Sequence, residues 1–516
     1  MARGWRSFPQ GFEKAGSQQI LFDLMVLDVS SRRQQMAASG LRLNLDGTGF
    51  SWSPSGLQLA FHAGGMEERS YDCYVVDIRD GHARNVTNFA PGARMRGRPS
   101  TPLWKRSGEA FYFLREGNMW QASVKGSKAS ELASIPGLRI TGLVAHTNNL
   151  LWMKNEEATI VLTHDDAEKR DGFYEVNLDT GSSRKLVEDR ECYTAVFGLD
   201  NYLVPSPTGD RLAYFAEDAR EAPELWTSDT GFHTREPLTN VNARLKRVAL
   251  GESRLVDWLS DDGGRLSGAL LLPSNYEEGQ RYPLVVWVYG GSTLSDRLNR
   301  FGLGYTGPFN MQLLATRGYA VFLPDAPQHL RTPMLDLAKA VLPGVNKVVE
   351  LGIADPAHIG VIGHSYGGYS ALALIVQTKR FKAAIAVDGY GDLGSAYGQM
   401  LQDGTAFQTS IMERGQGLMG GTPWERRAEY IENSPFYYLD QVETPVLLIH
   451  GSLDANVVPS LSDQLFVGLR RLGKEVEYAR YENEGHAPTA WRYENQRDYC
   501  ERVLAWFGRF LQSAGP

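Results

Sequence analysis

The sequence predicts two domains of different grammar. The first is an all-β half built on a repeat, and the second carries a mainly parallel, doubly wound sheet with helices on both faces. Three observations predict this. Two turn markers recur in step through residues 1–250. Apolar strand candidates alternate with helical stretches through residues 251–516. A chain of 516 residues is also longer than one core usually serves.

The first marker is a strand that ends in a polar turn. It occurs as LMVLDVSS at Asp28, YVVDIRDG at Asp77, WQASVKGS at Lys125, YEVNLDTG at Asp179 and LWTSDTG at Asp229, at intervals of 49, 48, 54 and 50 residues. The second is a tight turn followed by an alternating apolar strand: WSPSGLQLAF at Gly56, WKRSGEAFYF at Gly108 and PSPTGDRLAYF at Gly209. A period near fifty made of short strands and turns predicts β-propeller blades, since such units bury their faces only against neighbours. Five units are expected, forming either a five-bladed ring or a longer ring lacking its first blades. A β-sandwich is the alternative.

In the second half the strand candidates are 268–273, 282–291, 319–324, 358–363, 382–387, 444–451 and 475–482. Between them lie helical stretches such as LDLAKAVLPGVNKVVELG and SYGGYSALALIVQTK. Buried apolar strands alternating with helices predict a parallel sheet covered on both faces, with its chemistry at the carboxyl ends of the strands.

Composition narrows the partners. The net charge is −7, from 53 Lys+Arg against 60 Asp+Glu, without the basic stripe that nucleic acid requires. No apolar run reaches the roughly 18–20 residues of a membrane helix, so no membrane partner is expected. The stretch MARGWRSFPQGFEKAG lacks the apolar core of a secretory signal. Three scattered cysteines, Cys73, Cys192 and Cys500, form neither a disulfide framework nor a zinc spacing. The expectation is a cytoplasmic protein, and a homo-oligomer is compatible with it.

Gly363-His364-Ser365-Tyr366-Gly367 matches G-x-S-x-G, directly after the strand HIGVIG and at the start of an apolar helical run. That strand–elbow–helix setting is what the motif needs to hold a serine above a sheet, at a helix N-terminus that favours developing negative charge. A nucleophile at Ser365 requires a base and an orienting acid, in the order Ser, Asp or Glu, His. Asp454 follows the strand 444–451 and His486 follows the strand 475–482, both at the same sheet edge. His450 falls in or at the end of a buried strand, and His364 adjoins the serine but points elsewhere. Asp388 and Asp392 compete with Asp454 for the role of acid. An oxyanion needs donors: one expected is the Tyr366 amide, and Tyr289-Gly290-Gly291 offers backbone amides and a phenol hydroxyl. No P-loop, dinucleotide fingerprint or metal-ligand spacing is present, and serine hydrolysis needs neither cofactor nor metal.

On these residues the sequence resembles the prolyl oligopeptidase family of serine peptidases, which join a β-propeller to an α/β-hydrolase. The resemblance is strongest over 255–512, in DWLSDDGGRLSGALLLP, YPLVVWVYGG, IGVIGHSYGGYSALAL, IENSPFYYLDQVETPVLLIHGSLDANV and YENEGHAP. It implies a Ser365–Asp454–His486 triad, with the Tyr289 hydroxyl joining the Tyr366 amide. Asn456 matches a position that binds a substrate carbonyl in dipeptidyl peptidase members. Val457, Val458, Tyr369 and the stretch 413–419 are assigned to the substrate pocket.

Two departures qualify the resemblance. Family propellers have seven or eight blades against five units here. The paired glutamates that hold a free amine in dipeptidyl peptidases also have no counterpart; VEDREC and FAEDAREAPEL do not resemble their segment. PELW and PDAPQHLRTP look more like the acylaminoacyl-peptidase-like bacterial members. The expected activity is therefore cleavage of short or N-acylated peptides through an acyl-enzyme. A carboxylesterase or small-amide hydrolase using the same triad is the alternative, and a propeller scaffold carrying a dead hydrolase is a third reading.

Overall fold

A computed structural model describes residues 21–42, 49–63, 72–89, 100–146, 149–193, 203–401 and 406–512. The N-terminal stretch read above against a secretory signal lies outside them. The described residues fall into two compact units. One runs from Arg244 onward and includes Ala219–Glu221; the other precedes it and includes Ala222–Ala243.

The earlier unit is β-rich, and its described residues form five open sheets. The first is a hairpin of Leu21–Leu27 with Gln34–Arg42. The second has four antiparallel strands, Ser51–Trp52, Gln58–Ala63, Asp72–Asp77 and Ala83–Asn85. The third repeats this over Leu103–Trp104, Ala110–Arg115, Asn118–Ser123 and Ala129–Ala133, and gains Leu150–Leu151 and Ala145–His146 beside its first strand. The fourth joins Arg139–Leu143, Ala158–His164, Asp171–Asn177 and Ser183–Asp189. The fifth joins Val204–Pro205, Arg211–Ala216, Glu224–Asp229 and Arg235–Pro237.

The two sequence markers fall at fixed places in these sheets. Gly56, Gly108 and Gly209 each sit in the first turn, at φ of +68°, +73° and +76°, where a side chain would be strained. Asp77, Lys125, Asp179 and Asp229 fall at the turn between the third and fourth strands of an antiparallel run, and Asp28 at the turn of the hairpin. Three of the aspartates cap their turns: Asp28 Oδ1 accepts the Ser31 N–H at 2.7 Å, Asp77 Oδ1 the Arg79 N–H at 3.0 Å and Asp229 Oδ1 the Thr234 N–H at 2.8 Å. In the fourth sheet Asn177 caps instead of Asp179, accepting the N–H groups of Asp179 and Thr180.

Apolar clusters lie between successive sheets. Leu59 and Phe61 pack with Ala37, Ala38 and Leu41 of the first sheet, while Ala60 on the opposite face packs with Trp104, Phe111 and Phe113 of the third. Tyr112 and Leu114 then meet Val161 and Val176 of the fourth, whose Ile160, Leu162 and Phe173 meet Leu212 and Tyr214 of the fifth. The central strands Ala110–Arg115 and Ala158–His164 are buried on both faces, which is why they read as near-continuous apolar runs, whereas outer strands such as Ser183–Asp189 stay exposed or half-buried.

The later unit is organised around one eight-stranded sheet: β1 (Ser253–Leu259), β2 (Arg265–Leu271), β3 (Tyr282–Trp287), β4 (Ala320–Pro324), β5 (Ala354–His364), β6 (Ala383–Val387), β7 (Val446–Gly451) and β8 (Val476–Tyr481). The order across it is β1-β2-β4-β3-β5-β6-β7-β8. Pairings from β4 to β8 are parallel, and β2 pairs antiparallel with both β1 and β4. Strand β1 is an addition to the strands expected from the sequence. At the sheet edge it buries only Val256 and Trp258 among its seven residues, so its apolar signal is thin.

The pleat sends alternate residues to opposite cores. Leu284 and Val286 of β3 face one cluster with the helices Pro333–Glu350 and Tyr366–Ile375, while Val285 and Trp287 face the other with the helix Tyr493–Leu511. The helix Tyr366–Ile375 is buried along its whole length. In Pro333–Glu350, Pro343 cannot bond the Lys339 carbonyl, which instead accepts the Asp261 N–H at 3.1 Å from the β1–β2 turn. Among the described residues no helix is long and apolar enough to cross a membrane.

Candidate active site

Four loops at the carboxyl ends of β3, β5, β7 and β8 carry the chemistry-bearing residues. Ser365 stands between β5 and the helix Tyr366–Ile375 at φ 59° and ψ −121°, a conformation that strains any residue with a Cβ. Close packing holds it there. Its N–H donates to Val387 O at 2.8 Å, and its carbonyl accepts from Gly368 and Tyr369. A Cβ on Gly363 would lie 2.1 Å from Gly367 O, and one on Gly367 2.5 Å from Val288 O. Both motif glycines are therefore required by backbone approaching backbone.

The turn lifts the serine hydroxyl to His486, whose Nε2 lies 2.9 Å from Ser365 Oγ. The other ring nitrogen, Nδ1, lies 2.7 Å from Asp454 Oδ2. Asp454 is buried, and its second oxygen accepts the N–H groups of Asn456 and Val457 at 2.8 and 2.9 Å. Burial alone would raise its pKa. Hydrogen bonds from His450 and His486 outweigh burial and hold the carboxyl well below its usual range, so it is a carboxylate at neutral pH. The arrangement provides a hydroxyl on a base and a base on a fixed negative charge.

His450 and the rival acids take other places. His450 lies buried with Nδ1 2.7 Å from Ser462 Oγ and Nε2 2.8 Å from Val457 O, and that Nε2 is also 3.2 Å from Asp454 Oδ2. Asp388 accepts the Gly451 N–H at 2.9 Å, and its other oxygen is 3.5 Å from His364 Nε2. Asp392 caps the helix Leu393–Tyr397 through Gly394. His364 donates to the His486 carbonyl at 2.7 Å, away from the serine hydroxyl.

The oxyanion candidates are thinned by the backbone. The Gly290 N–H is spent on Ser370 Oγ at 3.1 Å and the Gly291 N–H on Ala326 O at 2.7 Å. The glycine amides that the sequence offered are therefore committed. The Tyr289 hydroxyl remains, half-buried and interacting with Ser365; burial raises its pKa, so it stays a protonated donor. The Tyr366 N–H opens its helix and has no intrahelical acceptor.

The pocket residues divide. Asn456 is exposed, on the loop that carries Asp454. Val457 is 2% exposed and packed in the core, and Tyr369 is 0% exposed with its hydroxyl donating to Asn433 O at 2.8 Å. The structure turns both inward, so neither offers a surface to a substrate. Tyr369 stacks between Tyr366 and Tyr390, as its helix is buried on all sides. In the stretch 413–419, Glu413 accepts the Tyr397 hydroxyl at 2.8 Å and Met419 is buried, while Gln416 is exposed. Gln416, which the sequence reading did not single out, donates Nε2–H to the Tyr289 hydroxyl at 2.8 Å; an exposed loop glutamine carries no pattern that marks it.

Comparisons with known proteins agree with this architecture. Residues 337–514 match the model of the prolyl oligopeptidase family. An uncharacterized peptidase of Bacillus subtilis, YuxL, is 26% identical over 360 residues, covering 66% of this chain and 52% of the relative. Dipeptidyl-peptidase 5 of Porphyromonas gingivalis is 22% identical over 502 residues, covering 90% of this chain and 67% of the relative. The chain thus spans between half and two thirds of the length of these two relatives. Among solved structures, a puromycin-hydrolyzing peptidase of Mycobacterium tuberculosis superposes with a TM-score of 0.73 at 21% identity, over 95% of this chain and 73% of that one. An acylaminoacyl peptidase of Pyrococcus horikoshii superposes with a TM-score of 0.54 at 18% identity, over 96% and 95%. These likenesses show the fold: an α/β-hydrolase unit together with a β-rich unit.

Proposed function

From the premise that residues 337–514 belong to the prolyl oligopeptidase family, we propose that this chain is a serine peptidase cleaving short or N-acylated peptides through an acyl-enzyme. One observation carries the reading: a single imidazole, His486, bridges Ser365 Oγ at 2.9 Å and Asp454 Oδ2 at 2.7 Å.

In this mechanism Ser365 Oγ attacks the scissile carbonyl while His486 Nε2 takes its proton. Asp454 fixes the imidazole tautomer and stabilises the imidazolium. The Tyr289 hydroxyl and the Tyr366 N–H donate to the oxyanion. His486 then protonates the leaving amine, and a water activated by the same nitrogen hydrolyses the acyl-enzyme. Asn456, exposed beside the acid, is proposed to meet the substrate backbone.

We further infer that the β-rich unit is a propeller whose four-stranded sheets are blades and whose first hairpin is half of another. Apolar clusters shared by successive sheets support that reading, as does the fixed position of both turn markers. The three cysteines, none of them in a disulfide, support a reducing compartment such as the cytoplasm.

The test is hydrolysis of an N-acetyl-aminoacyl anilide, its free-amine dipeptidyl counterpart and a short-chain ester by wild type and Ser365→Ala. Turnover led by the acetylated anilide and lost in the variant is expected. A leading dipeptidyl anilide would move the substrate class, ester-only turnover would make the protein an esterase, and turnover surviving in Ser365→Ala would overturn the assignment.

A further inference from the structure

With the Gly290 and Gly291 amides committed, the oxyanion site of the proposed reaction rests on one backbone N–H and one phenol. A phenol is an uncertain donor, because its single proton rotates about the C–O bond and its oxygen also accepts. It donates in a chosen direction only if a neighbour occupies the accepting side.

The structure supplies that neighbour. Gln416 Nε2 lies 2.8 Å from the Tyr289 hydroxyl oxygen. An amide N–H aimed at this oxygen takes a lone pair and cannot accept the phenol proton, which is left for an oxygen on the Ser365 side.

The loop that presents Gln416 is held on both flanks. Gly415 N–H donates to Ser410 O and Gly417 N–H to Ile411 O, both at 2.9 Å, pinning the loop back onto the helix Phe407–Glu413. A Cβ on Gly415 would lie 2.9 Å from Ile411 Cα, and one on Gly417 2.7 Å from Met412 Cα. Only glycines allow the backbone to fold that tightly, so an exposed glutamine is delivered to a fixed point.

We propose that Gln416 is a positioning residue for the Tyr289 proton. It acts by donating to the phenol oxygen, so that the hydroxyl donates to the oxyanion. The inference rests on the serine-hydrolase reading above.

The experiment measures kcat and KM on the best anilide for wild type, Gln416→Ala, Gln416→Glu, Tyr289→Phe and the double variant Tyr289→Phe/Gln416→Ala, with active sites counted by a fluorophosphonate probe. Loss of one oxyanion donor costs about 10²–10³ in kcat, so Tyr289→Phe should fall in that range. Gln416→Ala should lower kcat roughly tenfold with KM within about twofold, since it loosens a donor felt mainly in the transition state. Gln416→Glu is nearly isosteric but reverses the polarity: its carboxylate accepts the phenol proton and should lower kcat further than Gln416→Ala. The double variant should match Tyr289→Phe alone if Gln416 acts, as proposed, through the Tyr289 hydroxyl.

Losses that multiply in the double variant, or a Gln416→Glu enzyme no worse than Gln416→Ala, would overturn the inference while wild-type turnover leaves the reaction class standing. A wild type that neither takes the probe at Ser365 nor turns over substrate would overturn the serine-hydrolase reading, and this inference with it.

Discussion

The Nε2–H of His364 donates to the carbonyl oxygen of His486 across 2.7 Å. The residue before the serine thus grips the backbone of the loop that carries the imidazole, spanning the sheet from β5 to β8 past two intervening strands. The two rings lie with centroids 4.8 Å apart, and the buried Asp388 carboxylate stands 3.5 Å from the donating nitrogen. The serine and the imidazole are registered through the main chain as well as through their own hydrogen bond.

His364→Leu should therefore loosen the His486 loop without touching the reacting atoms. A 1 Å misplacement costs about 10²-fold, so a partial loosening is expected to lower kcat by roughly ten- to a hundredfold. Fluorophosphonate labelling of Ser365 should slow in proportion. Labelling at the wild-type rate would show that this backbone contact is idle.

Asp454→Asn keeps the shape of the acid and removes its charge. The amide leaves the imidazole without its counter-charge and permits the wrong tautomer. The expected loss is about 10⁴-fold in kcat at neutral pH. Circular dichroism should remain native, because Asn can still accept the N–H groups of Asn456 and Val457. A loss under tenfold would assign the acid's role to another carboxylate, with Asp388 the first to try.

Acid should weaken the fold through the same carboxylate. Its pKa is depressed in the folded state, so its contribution to stability is present above the unfolded value of about 3.9 and is lost as pH falls through the folded value. Urea unfolding of wild type and Asp454→Asn at stepped pH is the measurement. Their difference should be largest at pH 5–7 and shrink as pH drops below 4. A difference that grows toward acid would reverse the sign and refute the account.

Gly363→Ala tests the packing behind the serine. The added methyl carbon would fall 2.1 Å from Gly367 O, an atom of backbone that cannot swing aside. Overpacking of this kind costs on the order of 1–3 kcal/mol or more. A lower urea midpoint together with lost turnover is expected. A variant with wild-type midpoint and activity would mean that the elbow can open.

Much of the candidate site was legible because the strands that lead to it are apolar runs, followed within a few positions by the residues proposed to do the chemistry. HIGVIG ends at His364-Ser365, TPVLLIHG runs out three residues before Asp454, and EVEYARYE four before His486. The phased turns at Gly56, Gly108 and Gly209 were legible for a similar reason, since positive φ leaves a glycine in the sequence.

Other features left weaker traces. Strand β1 is half-exposed, so Val256 and Trp258 alternate with Arg254, Asp257 and Leu259 in too short a run to stand out. The inward turn of Tyr369 and Val457 depends on a helix buried all round and on backbone bonds to Asp454, neither of which has a sequence period. The capping of the fourth sheet by Asn177 in place of Asp179 turns on a shift of two residues within one turn. Gln416 was hidden because its contact with Tyr289 joins loops 127 positions apart.

The commitment of the Gly290 and Gly291 amides also bears on heredity. A hole built wholly from main-chain N–H groups has no codon of its own, so drift cannot delete a donor without deforming the backbone. Here the proposed second donor is a side chain. One base change turns a tyrosine codon into phenylalanine, which would strip the hydroxyl while leaving the ring, its packing and the fold in place. A single mutational step at Tyr289 would thus lower the rate of the proposed reaction by removing one oxygen and no packing carbon.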